Sequence, residues 1–351
     1  MLSLRSRDAT SSEGQQESED DAAMVIRKKR DQGNHECEVF GQGCEAAEAS
    51  RNWNSCTKNP GHERFIPVSA FCIDDLPEDY RKQPLFDALK SFSDSIVRLR
   101  VSHTSEERPE GYPFHNSSRT NVSHSGSGWL SHIDIGVGDC KCVECSTNNV
   151  APRQKWCVVE VITACHVVYN SEEAKATMVD FFYDDKESRT DGRMKTLTAH
   201  CVLHRDINGD LCFIRCATHD DILKEQLRTI LRTKHQFIAK RAPRSSKPRE
   251  IGACLVFSHP HGQPKHITVG HERFASPNTL DNPYDAKYAY TTDTCPGSSG
   301  GLVIIINQRS PIMRLGSAVH SSGYNGSHNE SCKATIDGMH LNMHFVSGKT
   351  P

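Results

Sequence analysis

Short apolar runs, each broken by glycine, asparagine or aspartate, restrict this chain more than any other feature. One set comprises IVRLRV at 96–101, GWLSHI at 128–133, CVVEVIT at 157–163, ATMVDFFY at 176–183, LTAHCVLH at 197–204 and DLCFIRCA at 210–217. A second set comprises IGACLVFSH at 251–259, HITVG at 266–270, KYAYTTD at 287–293, GLVIII at 301–306 and RLGSAVHSSG at 314–323. Runs this short, rich in β-branched residues and separated by turn residues, form antiparallel strands of a sandwich or barrel. The longest aliphatic run, Leu302–Ile306, cannot cross a bilayer as a helix, so no membrane partner is expected.

One helix separates the two sets. In DDILKEQLRTILRTKHQ, Ile222, Leu223, Leu227, Ile230 and Leu231 recur at helical spacing, and Asp220 or Asp221 can cap the start. A basic linker follows at 239–250. The domain expectation is therefore a β block at 92–220, a helix and linker at 221–249, and a second β block at 250–348. Residues 1–34 are polar and charged and read as a disordered tail. Residues 35–91 read as a partly ordered extension. Its Cys37, Cys44, Cys56 and His62 have metal-ligand chemistry, but their spacing matches no compact knuckle, so they read as incidental.

Net charge is −2, so no overall pull toward nucleic acid arises, and the basic stretch Lys224–Arg249 lacks an aromatic stacking platform. The first residues, MLSLRSRDATSSEGQQ, hold no apolar core of a secretory signal, and the 15 cysteines are odd in number. Reduced thiols and a cytoplasmic location are expected on that basis. The N-x-S triplets at Asn116, Asn121, Asn325 and Asn329 matter only in a secreted chain.

The stretch TTDTCPGSSGGLVIII, 291–306, sets glycines around two serines just before a buried strand. Such a loop can aim backbone N–H groups at one point, which makes Ser299 a candidate nucleophile. A serine nucleophile needs a base and a carboxylate to hold that base. His166 follows the strand in VITACHVV, and Asp210 sits at the lip of the strand in GDLCFI. Asp206 is a rival carboxylate, but Asn208 and Gly209 after it break the strand pattern.

In the order His166, Asp210, Ser299, with TACHVV, GDLCFI and PGSSGG around them, residues 92–348 resemble the chymotrypsin-like serine proteases. The resemblance implies an all-β fold of two six-stranded antiparallel β-barrels, joined by the helix and basic linker, with the site between them. It also implies an oxyanion hole formed around Gly297, Ser298 and Ser299. Ser298 stands where secreted trypsins carry an aspartate, so the chain is nearer the glutamyl-endopeptidase, viral 3C and Deg/HtrA-like branches. In those first two branches a threonine and a histidine hold a Glu or Gln side chain. Thr294 and His320 match them here. Asp293, near the pocket floor by ungapped counting, would instead favour Lys or Arg. Secreted relatives also carry a disulfide near Cys295 and Cys332; free thiols are expected here.

The expected function is therefore a serine endopeptidase acting on peptides or proteins, with no cofactor needed for catalysis. The alternative is a silent protease-fold module that binds peptides. Cys140, Cys142 and Cys145, with Cys157 as the fourth ligand, have spacing suited to a structural zinc that staples a long hairpin. Cys165 beside His166 reads as a packed small residue.

Overall fold

The structure, a computed structural model, describes residues 10–118, 120, 122–143, 145, 155–238, 252–275, 287–309, 312–324 and 327–332. The basic linker at 239–250, Asn121 and Asn325 lie outside them. The N-terminal region contributes helix α1 (Thr10–Asp31), strand β1 (Glu38–Phe40), helix α2 (Glu45–Asn54), strand β2 (Ile66–Pro67) and helix α3 (Gln83–Ser93).

The first β block contains β3 (Ile96–Val101), β4 (Ser123–Ile135), β5 (Cys157–Thr163), helix α4 (Ser171–Lys175), β6 (Thr177–Phe181), β7 (Lys195–Asp206) and β8 (Leu211–Thr218). Six of its strands pair in the order β4-β3-β6-β7-β8-β5, and β4 pairs with β5 to close the barrel. Helix α5 (Asp221–Ile238) follows, capped by Asp220, whose Oδ1 accepts from the N–H groups of Ile222 (2.9 Å) and Leu223 (3.0 Å).

The second block contains β9 (Ala253–Ser258), β10 (His266–Ala275), β11 (Tyr288–Tyr290), β12 (Leu302–Arg309), β13 (Ile312–Tyr324) and β14 (His328–Ser331). These pair in the order β11-β14-β13-β12-β9-β10 and close through β10–β11. The fold is therefore two closed six-stranded antiparallel barrels. Each barrel also has a seventh strand at its rim, and both come from the N-terminal region: β1 on β4, and β2 on β10.

Inward-facing aliphatics fill the barrels, and helices cover one end of the first. Leu85, Leu89 and Phe92 of α3 join Leu223, Leu227 and Leu231 of α5 in the same core. Two buried arginines are paired with carboxylates. Arg98 meets Asp180 at 2.7 Å, and Arg108 meets Glu173 at 2.7 Å. Removing one partner of such a pair strands a buried charge, at a cost of roughly 3–5 kcal/mol.

Within the tail expected to be disordered, the described residues Thr10–Asp31 are helical, and the helix packs against β1, which corrects that expectation there. Lys28 is fully buried, and its Nζ donates to Thr104 Oγ1 (2.8 Å) and Val122 O (2.7 Å). Burial lowers the Lys28 pKa to about 7. A run of charges reads as solvated until the fold supplies acceptors for one of them.

Candidate active site

Ser299 sits on the loop that enters β12. Gly297 has φ +96° and Gly300 has φ +85°. A Cβ at Gly297 would stand 2.5 Å from His259 O, and one at Gly300 2.0 Å from Ser127 O. Only glycine fits both positions. The first barrel holds this loop through Ser127, whose N–H donates to Ser299 O (2.7 Å) and whose Oγ donates to Gly297 O (2.8 Å).

His166 lies just past β5, fully buried. Its Nε2 is 2.6 Å from Ser299 Oγ, and its Nδ1 is 2.8 Å from Asp210 Oδ2. The His166 backbone N–H also donates to Asp210 Oδ1 (3.0 Å). Asp210 stands before β8 with φ +56°, a strained conformation for a side-chain-bearing residue. Two further bonds fix it: Ser321 Oγ donates to its carboxylate (2.5 Å), and Cys332 Sγ donates to its backbone oxygen (2.7 Å).

Burial pushes the Asp210 pKa up, but the neighbouring His166 outweighs this and holds the carboxyl well below its ordinary range. An ionised Asp210 accepts the Nδ1 hydrogen, so Nε2 presents a lone pair to the Ser299 hydroxyl. Burial lowers the His166 pKa to about 4, with Asp210 opposing and His35 adding to the shift. Asp206 does other work: its Oδ1 accepts from Gly209 N–H (2.9 Å) and shapes the turn.

The loop's N–H groups already have an acceptor. Gly297 N and Ser299 N both donate to Glu36 O, at 2.6 and 3.2 Å. Ser298 does not join them, contrary to expectation. Its N–H donates to Cys295 O (2.9 Å) because the tight turn points alternate amides in opposite directions.

The Glu36 side chain enters a pocket. His320 Nε2 lies 2.7 Å from Glu36 Oε2, and Lys58 pairs with Oε1 while donating to Thr294 Oγ1 (3.1 Å). Tyr290 OH is 2.5 Å from His320 Nδ1, which leaves Nε2 to carry hydrogen toward the carboxylate. Burial would raise the Glu36 pKa, but His320 and Lys58 bring it down to about 2. His320 therefore contacts the carboxylate directly, and Thr294 reaches it only through Lys58. Asp293 does not: its carboxylate faces Arg64 at 3.4 Å.

Sequence reasoning missed Glu36, Lys58, Tyr290 and Ser321. Tyr290 and Ser321 had a weak signal, since one ends the strand YAY and the other adjoins His320. Glu36 and Lys58 had none.

Cys140, Cys142 and Cys145 bring their sulfurs within 4.8 Å of one another, and Cys157 is not in that group. Cys157 is held in β5, opposite Thr218 of β8, so the expected four-ligand set is not assembled among the described residues. A second cluster joins Cys56, His62, His261 and Cys295. Cys56 and His62, expected to be incidental, thus lie beside residues far away in sequence. Cys165 is fully buried beside the site, as a packed residue would be.

Residues 149–309 match the family model described as a trypsin-like peptidase domain. That stretch is thus similar to a trypsin-like peptidase domain, and it holds His166, Asp210 and Ser299. Among curated proteins none matches at a significant level. Solved structures with a similar course include the active form of the Rv3671c protease from M. tuberculosis. It is 14% identical, with a TM-score of 0.38, over 75% of this chain and 86% of that one. The HtrA-type protease AlgW with a decapeptide is likewise 14% identical, with a TM-score of 0.38, over 75% of this chain and 67% of that one. Among the described residues no helix is long and apolar enough to cross a membrane.

Proposed function

We propose that this protein is a serine endopeptidase that cuts after glutamate. The observation that carries this reading is the unbroken line from Asp210 through His166 to Ser299 Oγ, with contacts of 2.8 and 2.6 Å. In the proposed cycle His166 takes the Ser299 proton as Oγ attacks the substrate carbonyl. Asp210 steadies the imidazolium that forms. The N–H groups of Gly297 and Ser299 stabilise the oxyanion, by roughly 3–4 kcal/mol per donor. His166 then protonates the leaving amine, and water hydrolyses the acyl-enzyme.

Specificity for glutamate is supported by the contacts of Glu36 in the pocket. A carboxylate there meets a His320 N–H and the Lys58 ammonium, both cation-compatible donors. Glutamine would keep the His320 contact and lose the charge pairing, so it ranks second. Lys or Arg would face Lys58 directly. A fluorophosphonate should label wild type and not Ser299→Ala, and a peptide library should be cut chiefly after Glu. Absence of labelling on a folded chain would favour the silent peptide-binding module. Cleavage dominated by Lys, Arg or Leu would reject the pocket assignment.

A further inference from the structure

We infer that Cys56, His62, His261 and Cys295 form a structural zinc site that ties the N-terminal extension to the nucleophile loop. The four ligand atoms lie within 4.8 Å of one another. Cys56 Sγ is 3.6 Å from Cys295 Sγ, and Cys295 Sγ is 3.5 Å from His62 Nε2. A tetrahedron with Zn–S near ~2.3 Å and Zn–N near ~2.0 Å has edges of roughly 3.3–3.8 Å, so these separations suit one ion between them.

The surroundings are those of a metal site. His261 Nδ1 lies 2.5 Å from Glu38 Oε2, and its Nε2 is buried without a hydrogen-bond partner. A carboxylate on the far ring nitrogen is the usual way to orient a ligating histidine. Trp53 stacks on His62 at 3.7 Å and fixes that ring. His62 and His261 both hold positive φ, 51° and 53°, a strain that four shared bonds to an ion would offset. Two ligands come from the extension and two from the second barrel. Cys295 lies between Thr294 of the pocket and the loop of Ser299, so the ion would hold both in place.

Metal analysis of the full chain should find one zinc per molecule. Cobalt(II) loaded into the stripped chain should give the intense visible bands of a tetrahedral site with two thiolates. Both signals should vanish in Cys56→Ser and in His62→Gln, and persist in Cys142→Ser. Two variants on different ligands guard against loss through misfolding, and the wild-type measurements need neither. Zinc that survives Cys56→Ser but is lost in Cys142→Ser would move the site to the 140–145 loop and overturn the inference. A metal-free chain with Cys56 and Cys295 joined as a disulfide would overturn it as well, since a disulfide brings the two sulfurs to about 2.05 Å.

A separate observation concerns the chain's own residues in the cleft. The geometry points to the Glu36–Cys37 peptide bond as a substrate of the same molecule, an inference that rests on the proposed function. Asn34 O accepts from Gly323 N–H (2.9 Å), His35 bridges Ser322, and Glu36 O sits between Gly297 N and Ser299 N. Beyond the bond, Glu38, Val39 and Phe40 pair with Ser125, His124 and Ser123. The backbone thus crosses the site between the bridge at His35 and strand β1, with Glu36 N 2.9 Å from Ser299 Oγ. Ser299 Oγ would bond to the Glu36 carbonyl carbon as His166 takes its proton. The Glu36–Cys37 bond would break, with that proton passing to the Cys37 nitrogen. Water would then release a Glu36 carboxylate and restore Ser299. The Gln32 amide grips Cys37 at both N (2.8 Å) and O (3.1 Å), so the new amine stays close and the cut is slow.

Intact mass and N-terminal sequencing of incubated wild type should reveal a chain beginning at Cys37, at a rate unchanged on dilution. Ser299→Ala and Glu36→Ala should stay whole. A wild type that labels with fluorophosphonate and cuts external Glu peptides, yet stays whole, would sink self-cleavage and leave the function standing. A rate that scales with concentration would overturn cleavage within one molecule. A chain that neither labels nor cuts would remove the function and this inference together.

Discussion

The two barrels and the N-terminal extension contribute differently to the site. The barrels hold Asp210, His166, Ser299 and His320 on or beside strands, where neighbouring strands fix each position. The extension holds Glu36, Lys58, Cys56 and His62 largely outside strands, and all four touch residues of the second barrel block. On the proposed function the barrels supply the reacting groups, and the extension supplies what occupies and frames them. A part that reacts must be rigid, whereas a part that frames can be built from chain with little core of its own.

Substitutions can test this division. The largest effect should come from Ser299→Ala, with kcat on Glu peptides falling by ~10⁶-fold if the barrel residues act as a unit. A fall of only tenfold in a folded variant would mean the barrels do not hold the chemistry.

The next effect concerns pH. His166 has a folded pKa of about 4, below its ordinary 6.5, so between those values the unfolded chain binds a proton that the folded chain does not. Stability should therefore fall as pH drops from about 6.5 to about 4, by roughly 3 kcal/mol from this residue. Denaturant melts of uncut Ser299→Ala, compared with Ser299→Ala/His166→Gln, should show this slope in the first and lose it in the second.

The pocket sets barrel against extension directly. His320→Ala should lower kcat/KM for Glu peptides by about 30–100-fold, since it removes a buried bond to a charged group. Lys58→Ala should cost about 5-fold, because its side chain is partly exposed and screened, and it should narrow the preference for Glu over Gln. A larger loss from Lys58→Ala than from His320→Ala would reverse the assignment. Asp293→Asn should change kcat/KM by less than about twofold, because its carboxylate faces Arg64 instead of the pocket.

Much of the barrels was legible in the sequence. The β-branched runs set the strands, and each member of the 166–210–299 line adjoins a strand, so local pattern located it. Gly297 and Gly300 signalled the tight loop for the same local reason. The extension was not legible in this way. Helix α1 is polar along most of its length, and its burial depends on acceptors at Thr104 and Val122, far off in the chain. Cys56 and His62 meet His261 and Cys295 across some two hundred residues, so no spacing rule could join them. The 140–145 cysteines illustrate the opposite error: compact spacing invited a fourth ligand, Cys157, that β5 holds elsewhere.

Strands β1 and β2, one added to the rim of each barrel, belong to a single stretch of thirty residues between Glu38 and Pro67. That stretch works as a strap across the seam. A barrel that swings away from the other must first loosen this connection or peel a strand from its edge. Opening the cleft and melting the strap become one cooperative event, and an antibody or protease that seizes residues 41–65 would loosen both halves at once.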